Sequence, residues 1–290
     1  MKQASRRINW VSSLHDSKEI IELEITMEQF YSSNKSYFSD IDFTANNWIR
    51  DDLDGYKKIV ELVDSSQSVC EIGCGAANIL KHHPAFHSKY TGLDFSEKLL
   101  QANSKKYPAA QFYTFISTNI FPVKDLLFDV VFCVFVLEHV THPAVFLNEC
   151  ERILKPGGTL VILCPDFLGK GRMTSQRSGY SAGTAGAKLR QRKWLDAIVT
   201  LFDNRIKIPL ICKYYARRAT YHPLFLVNCS PVLFEDDFTP DSDAVYITYK
   251  AEIKNYLSNY FTEIDNETKL KEYEQKQKVI FLQMEKKKEA

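Results

Sequence analysis

The chain lacks any hydrophobic run long enough to cross a bilayer. Its most apolar stretch, LLFDVVFCVFVL at 126–137, is interrupted by Asp129 and falls short of the roughly 20 residues a membrane-spanning helix needs, so it predicts a buried strand. The N-terminal segment MKQASRRINWVSSLHDSKEI carries positive charge without the apolar core of a secretory signal; the expectation is a cytoplasmic chain whose fold starts near Met1. Net charge is nearly absent too. With 37 Lys and Arg against 36 Asp and Glu, the overall field selects neither nucleic acid nor membrane as partner. The seven cysteines include no CxxC pair and no zinc-ligand spacing, so they read as reduced, buried small side chains, with no metal site. The histidines of HHPAFH at 82–87 lack accompanying Asp, Glu or Cys and read as a surface loop. Repeats and low-complexity segments are also missing.

What the sequence does have is alternation. Apolar residues recur at helical spacing through the first 60 or so residues, at Ile20, Leu23, Met27 and then Tyr56, Ile59 and Val63, which predicts a helical cap over 1–55 leading into a first core helix. From Ser68 short apolar runs alternate with amphipathic segments: 68–73, 90–95, 110–116, 128–136 and 159–166. That alternation predicts a Rossmann-like, doubly wound α/β core over 56–166 with a mostly parallel sheet. Ser96 is placed to cap one helix, and Thr141 with Pro143 to open another that Pro156, Gly157 and Gly158 end. The pattern breaks after Asp166, predicting a helical insertion over 167–243. The alternation resumes over 244–290 with the apolar run VYITY at 245–249, a helix, a strand expected near 261–264 and a last strand at 279–284; the sheet is expected to hold seven strands.

One segment concentrates chemistry. CEIGCGAAN at 70–78 sets Glu71 at the end of a buried strand, then Gly73 and Gly75 around Cys74, then a helix start. Two residues without Cβ let the backbone turn sharply and approach a ligand closely. A dinucleotide fingerprint would want Gly or Ala where Asn78 stands and would receive a diphosphate. Glu71 would repel a diphosphate but suits a ligand carrying an ammonium and a sulfonium. Asp94, in GLDFS 19 residues beyond Gly75, is positioned to accept both hydroxyls of a ribose; it could instead serve the helix start beside Ser96.

Taken with FPVKDLLFDVVFCVFVLEHV and LNECERILKPGGTLVI, these segments resemble class I S-adenosylmethionine-dependent methyltransferases, of the small-molecule type found in quinone and natural-product biosynthesis. The resemblance covers residues 56 to 166 and rests on four motifs in the family's order. It implies that S-adenosylmethionine is the cofactor, with Glu71, Gly73, Cys74 and Gly75 facing its methionine part, Asp94 its ribose and Phe95 one adenine face. Val134 and Phe135 would lie near the methionine end. Where the family often has an acid five positions before its LPF-like proline, this chain has Ser117 before Pro122; Ser117, Thr118 or Asn119 would then meet the adenine amino group. Tyr31, Tyr37, Trp48 and Arg50 resemble the cap residues that close over the cofactor, and ordinary packing would account for each of them as well.

Methyl transfer needs alignment more than a base; a base helps where a hydroxyl must lose its proton. His139, in LEHV beside Glu138, is the nearest candidate, and a helix-starting residue bonded to backbone is the competing reading. Between Phe167 and Ser230 stand 12 Lys or Arg against two acids, Asp196 and Asp203. A small anionic acceptor would be drawn there; a solvated face paired with acids such as Glu235, Asp236 and Asp237 fits the same count. Nucleic acid as acceptor is an alternative, weakened because FVLEHV lacks the Asn or Asp, Pro, Pro, aromatic signature of base methyltransferases. A cofactor-binding scaffold without turnover is another, and a further reading of the insertion is an amphipathic lid over a lipid-like or aromatic acid that could also touch a membrane surface.

Overall fold

The structure is a computed structural model and describes residues 6–33, 53–115, 120–233, 241–265 and 267–288. Its centre is a seven-stranded sheet. Strands β2 (Val69–Ile72), β3 (Tyr90–Asp94), β4 (Gln111–Thr114), β5 (Phe128–Val134), β6 (Leu154–Pro165), β8 (Phe261–Glu263) and β9 (Val279–Lys286) lie in the order β4-β3-β2-β5-β6-β9-β8. The pairings from β4 through β6 are parallel, and β9 runs antiparallel to both β6 and β8. This is the Rossmann-like, mostly parallel seven-stranded α/β architecture that the alternation predicts.

The central strands are apolar on both faces because helices cover both. Successive residues of β5 point opposite ways. Val131 and Cys133 join one core with Ile20, Leu23 and Met27 of α1 (Lys18–Ser33), Phe146, Leu147, Cys150 and Ile153 of α5 (Pro143–Ile153), and Ile253 and Leu257 of α9 (Lys250–Leu257). Val130, Phe132 and Val134 join a second core with Tyr56, Ile59 and Val63 of α2 (Asp54–Ser65) and Leu270 and Tyr273 of α10 (Thr268–Gln277). The glycine turn leads into α3 (Asn78–His82), and α4 (Glu97–Lys106) follows β3. Ser96 caps α4, its Oγ accepting the Leu99 N–H.

Four local expectations change. The first 60 residues are not all helical: Trp10–Ser12 is a strand, β1, antiparallel to β7 (Leu226–Asn228) of the insertion. The residue before α5 is His142, with no side-chain cap bond, rather than Thr141. The helix stops at Ile153, and β6 starts at Leu154; residues 155–158 form an irregularity between the Phe128 to Leu154 and Val130 to Thr159 pairings, where Gly157 takes a φ of +79°. Finally, 245–249 does not extend the main sheet. Its Val245 and Tyr246 N–H groups donate to the Glu138 carbonyl at 2.7 and 2.9 Å, and Tyr246 bridges Val227. The apolar run is buried as a strand would be, but it is bonded across the turn after β5.

The insertion carries α6 (Ala185–Arg190), α7 (Trp194–Phe202), a π-helical turn at Asp203–Lys207, α8 (Ile208–Ala219) and β7. It packs with the N-terminal segment in a third core of Trp10, Phe167, Met173, Ile208, Cys212 and Ile247. The two acids of its helical part turn inward: Asp203 receives Arg6 through two bonds of 2.6 and 3.0 Å, and Asp196 lies 3.2 Å from Lys188, which is 1% exposed.

Candidate active site

The order of the sheet reverses between β2 and β5. Loops leaving the carboxyl ends of these strands diverge there, and ligands of open α/β sheets bind in the crevice that results. Gly73 to Ala77 leave β2, and Phe135 to His139 leave β5, so both expected groups flank that point. The backbone is held tightly on both sides. Gly73 and Gly75 have φ of +71° and +50°, and Ala77 and Phe135, which carry side chains, sit at +50° and +55°. Such residues cost about 1–3 kcal/mol each and persist only where the surroundings impose them. Here the Gly73 and Cys74 N–H groups both donate to the Leu93 carbonyl at 2.7 and 3.0 Å, and Phe135 N–H to Leu163 at 2.7 Å. A Cβ on Gly73 would lie 2.2 Å from Cγ2 of Val136. Glycine is therefore required sterically as well as conformationally.

Two buried carboxyl groups face this turn. Asp94 is 4% exposed; its Oδ2 accepts the Gly75 N–H at 2.8 Å and its Oδ1 the Ser96 N–H at 2.9 Å. Each oxygen is fixed by one N–H and has further lone-pair capacity for a hydroxyl donor. The helix-start reading of Asp94 is thus part of its geometry, through Ser96, without using up the group. Burial raises its pKa, opposed by the backbone donors. Glu71 accepts a hydrogen bond from the Tyr90 hydroxyl. Burial pushes it up to about 8, opposed by that bond and reinforced by Asp94. Its charge is costly as the chain stands, and a cation brought beside it would restore the ionised form. Asn78 adds a third feature: its buried Nδ2 has no hydrogen-bond partner. A glycine cradle, a donor lacking an acceptor and a doubly anchored carboxylate fit a nucleoside with an amino-acid tail. Asn103 of α4 ties the turn down, donating from Nδ2 to the Gly75 carbonyl at 2.8 Å.

Across the crevice, a three-residue helical turn Leu137–His139 follows β5. His139 Nδ1 lies 3.5 Å from Asp243 Oδ2, and its Nε2 lies 3.9 Å from Glu138 Oε1. Tyr31 of α1 reaches in from the other side, donating to Asp243 Oδ2 at 3.1 Å and lying 3.5 Å from His139 Nδ1. Burial works against the imidazolium, but Asp243, Glu138 and Asp241 outweigh it and raise the His139 pKa. Glu138 is fully buried with neither carboxylate oxygen hydrogen-bonded; burial pushes it to about 8 despite His139. Asp241 is raised by burial, with His139 and Arg172 pulling it down and Asp243 pushing it up.

The residues singled out from the sequence therefore fall into two groups that Tyr31 joins, since its ring lies 5.0 Å from that of Phe95. Phe95 is partly exposed just past β3. Val134 is buried at the end of β5, and Phe135 is half-buried. Cys74 turns inward: a Cβ on Gly92 would meet its sulfur at 2.7 Å, and burial raises its thiol pKa well above the ordinary value. Only its backbone faces the turn. Ser117, Thr118 and Asn119, like Tyr37, Trp48 and Arg50, lie outside the described residues. Sequence reasoning missed Asp241 and Asp243, which come from a segment more than 100 residues beyond His139. The one available signal was an acidic pair directly before the apolar run at 244–247.

Residues 70–162 match the family described as a methyltransferase domain. This segment is a methyltransferase domain. That match indicates S-adenosylmethionine as the cofactor. Among its relatives, a ubiquinone biosynthesis O-methyltransferase of Psychrobacter cryohalolentis is 29% identical over 128 residues, covering 40% of this chain and 50% of the relative. A demethylmenaquinone methyltransferase of Tropheryma whipplei is 32% identical over 101 residues, covering 34% and 42%. The chain thus spans half or less of the length of these curated relatives. A solved S-adenosylmethionine-dependent methyltransferase of Aquifex aeolicus has a TM-score of 0.46 at 13% identity, over 86% of this chain and 97% of that one.

Proposed function

We propose that the chain binds S-adenosylmethionine in the crevice between β2 and β5 and transfers its methyl group to an oxygen or nitrogen of a small acceptor. The observation that carries this reading is Asp94, buried at the end of β3 with one N–H on each oxygen, beside the left-handed turn at Gly73 and Gly75. Asp94 would hold the ribose hydroxyls, Glu71 and the turn the amino-acid end with Asn78 Nδ2 as a donor to its carboxylate, and Phe95 an adenine face. Ser117, Thr118 and Asn119 are proposed for the adenine edge. When bound, the cofactor supplies a methyl group activated by a positive sulfur. The protein's part is to align the acceptor in line with that bond and to keep water out.

His139 is proposed as the proton acceptor, and Asp243 as the positioning residue that orients it. Nδ1 faces the Asp243 carboxylate and Nε2 the buried Glu138 carboxyl group; Asp243 foremost inclines the ring to be an imidazolium, and the base form is reached as pH rises through its raised pKa. The carboxyl groups of Glu138, Asp241 and Asp243 oppose a negative charge on the reacting group; they favour a neutral hydroxyl or an amine there. An anionic part of the acceptor would be met instead by Arg172, whose charge acts on Asp241 from the insertion. The relatives' names, ubiquinone and demethylmenaquinone, make quinone-like phenols the first acceptors to try.

The test is release of S-adenosylhomocysteine by the full chain over a panel of phenolic and amino acceptors, some with a carboxylate. Turnover should rise with pH; His139→Ala should abolish the rising limb, and Asp243→Asn should move it to lower pH. Full turnover and an unaltered pH profile in His139→Ala would remove His139 from the chemistry, and binding without turnover on any acceptor would leave a scaffold.

A further inference from the structure

The insertion presents an outer surface that the methyltransferase reading does not use. Residues 194–219 form one continuous helical run, since the π-helical turn at Asp203–Lys207 joins α7 to α8 with helical backbone on either side. At 1.5 Å per residue the run is about 39 Å long. Its inner face packs Ala197, Thr200, Ile208, Cys212 and Ala219. Its outer face carries Leu195, Ile198, Phe202, Ile206, Leu210 and Tyr214, spaced three or four apart on one stripe, with Leu195 78% and Leu210 62% exposed. Trp194 begins the run at 62% exposed. A stripe of large apolar side chains this long is far beyond the scattered exposure of ordinary surfaces.

The charges around the stripe are of one sign. Arg192, Lys193, Arg205, Lys213, Arg217 and Arg218 are all exposed. The only acids between 190 and 219, Asp196 and Asp203, are buried and face Lys188 and Arg6. The overall near-neutrality of the chain conceals this segregation. A second copy meeting this face through its own would oppose like charges, and nucleic acid would satisfy the cations while leaving Leu195, Ile198 and Leu210 in water. An anionic lipid surface satisfies both. The run is not a membrane span: no helix among the described residues is long and apolar enough to cross one.

We propose that residues 194–219 lie in the interface of an anionic bilayer, with the apolar stripe among the acyl chains and the flanking Lys and Arg at the headgroups. This stands apart from methyl transfer, and its test contains no cofactor. The full chain is mixed with vesicles of phosphatidylcholine alone or with phosphatidylglycerol added, and floated on a density gradient. The chain should float with the anionic vesicles, less so at high salt, with Trp194 emission moving to shorter wavelength and that change lost in Trp194→Phe. Lys213→Ser with Arg217→Ser should lower partitioning roughly 30-fold, and Ile198→Glu with Leu210→Glu at least as much. All four sites are exposed, so thermal melts should match the parent. Failure to float with either vesicle would overturn the proposal. So would flotation unaffected by both pairs of substitutions, or a solution dimer or RNA complex that Ile198→Glu with Leu210→Glu dissolves in place of vesicle binding.

Discussion

Substituting Gly73 by Ala tests the turn by geometry alone. At φ +71° an L residue pays the left-handed penalty, about 1–2 kcal/mol. The added Cβ would also stand 2.2 Å from Cγ2 and 3.0 Å from Cγ1 of Val136, an overlap worth a further 1–3 kcal/mol or so. Gly73→Ala should therefore lose about 2–5 kcal/mol in urea unfolding. It should also lose S-adenosylmethionine affinity, because relief of the clash must move either the turn or the loop after β5. Val136→Ala removes both γ-carbons and leaves the Val136 Cβ at 3.2 Å, a contact small shifts can absorb. In the double variant the overlap disappears while the backbone penalty remains. The two substitutions should therefore couple by about 1–3 kcal/mol, the pair being less destabilised than the sum. Unchanged stability in Gly73→Ala, or strict additivity with Val136→Ala, would refute the account of why glycine stands there.

Two further outcomes follow from buried charge. Glu71 and Glu138 are both raised from the ordinary 4.5 to about 8, so the fold favours their protonated forms. The stability they contribute is fully present below about pH 4.5 and is lost as pH rises through 8, at up to about 1.4 kcal/mol per unit for each group. His139, also raised, loses its contribution in the same direction. Urea unfolding across this range should decline, and Glu138→Gln should flatten the decline; equal slopes in the two proteins would contradict the assignment. In the insertion, Asp196→Ala would strand the buried Lys188 ammonium, leaving it the Thr200 hydroxyl at 2.7 Å and the Ser178 carbonyl at 3.2 Å. A loss of about 3–5 kcal/mol is expected, with early proteolysis within 175–200 and substantial recovery on adding Lys188→Met. Resistance to protease in Asp196→Ala would show that the pair does not hold the loop.

The parallel core was legible because each strand carries its own signal. Residues 69–72, 90–94 and 128–134 are apolar on both faces, and a parallel strand covered on both sides leaves that pattern in the sequence. The turn at Gly73 was legible for a related reason, since a sharp left-handed turn restricts residue type locally. The cluster around His139 was not legible. Asp243 reaches His139 only because the run at 245–247 is bonded to the Glu138 carbonyl, a tertiary event with no local signature, and the same run taken alone reads as one more strand of the sheet. The basic excess of the insertion was visible as a number but not as an arrangement. Folding turns Asp196 and Asp203 inward to Lys188 and Arg6 and leaves the outer face wholly basic, which no count of charges can report. The short strand Trp10–Ser12 escaped for want of length, since three residues paired with β7 establish no period.

The central claim is that Asp94 and the Gly73 turn make a site for S-adenosylmethionine. Calorimetric titration of the full chain with the cofactor, beside Asp94→Ala, tests it most directly. The account predicts saturable one-to-one binding by the parent and an affinity lower by about 10- to 100-fold in Asp94→Ala, for the loss of charge-assisted bonds to two hydroxyls, with the variant still folded by circular dichroism. No binding by the folded parent, or equal affinity in the two proteins, would contradict it.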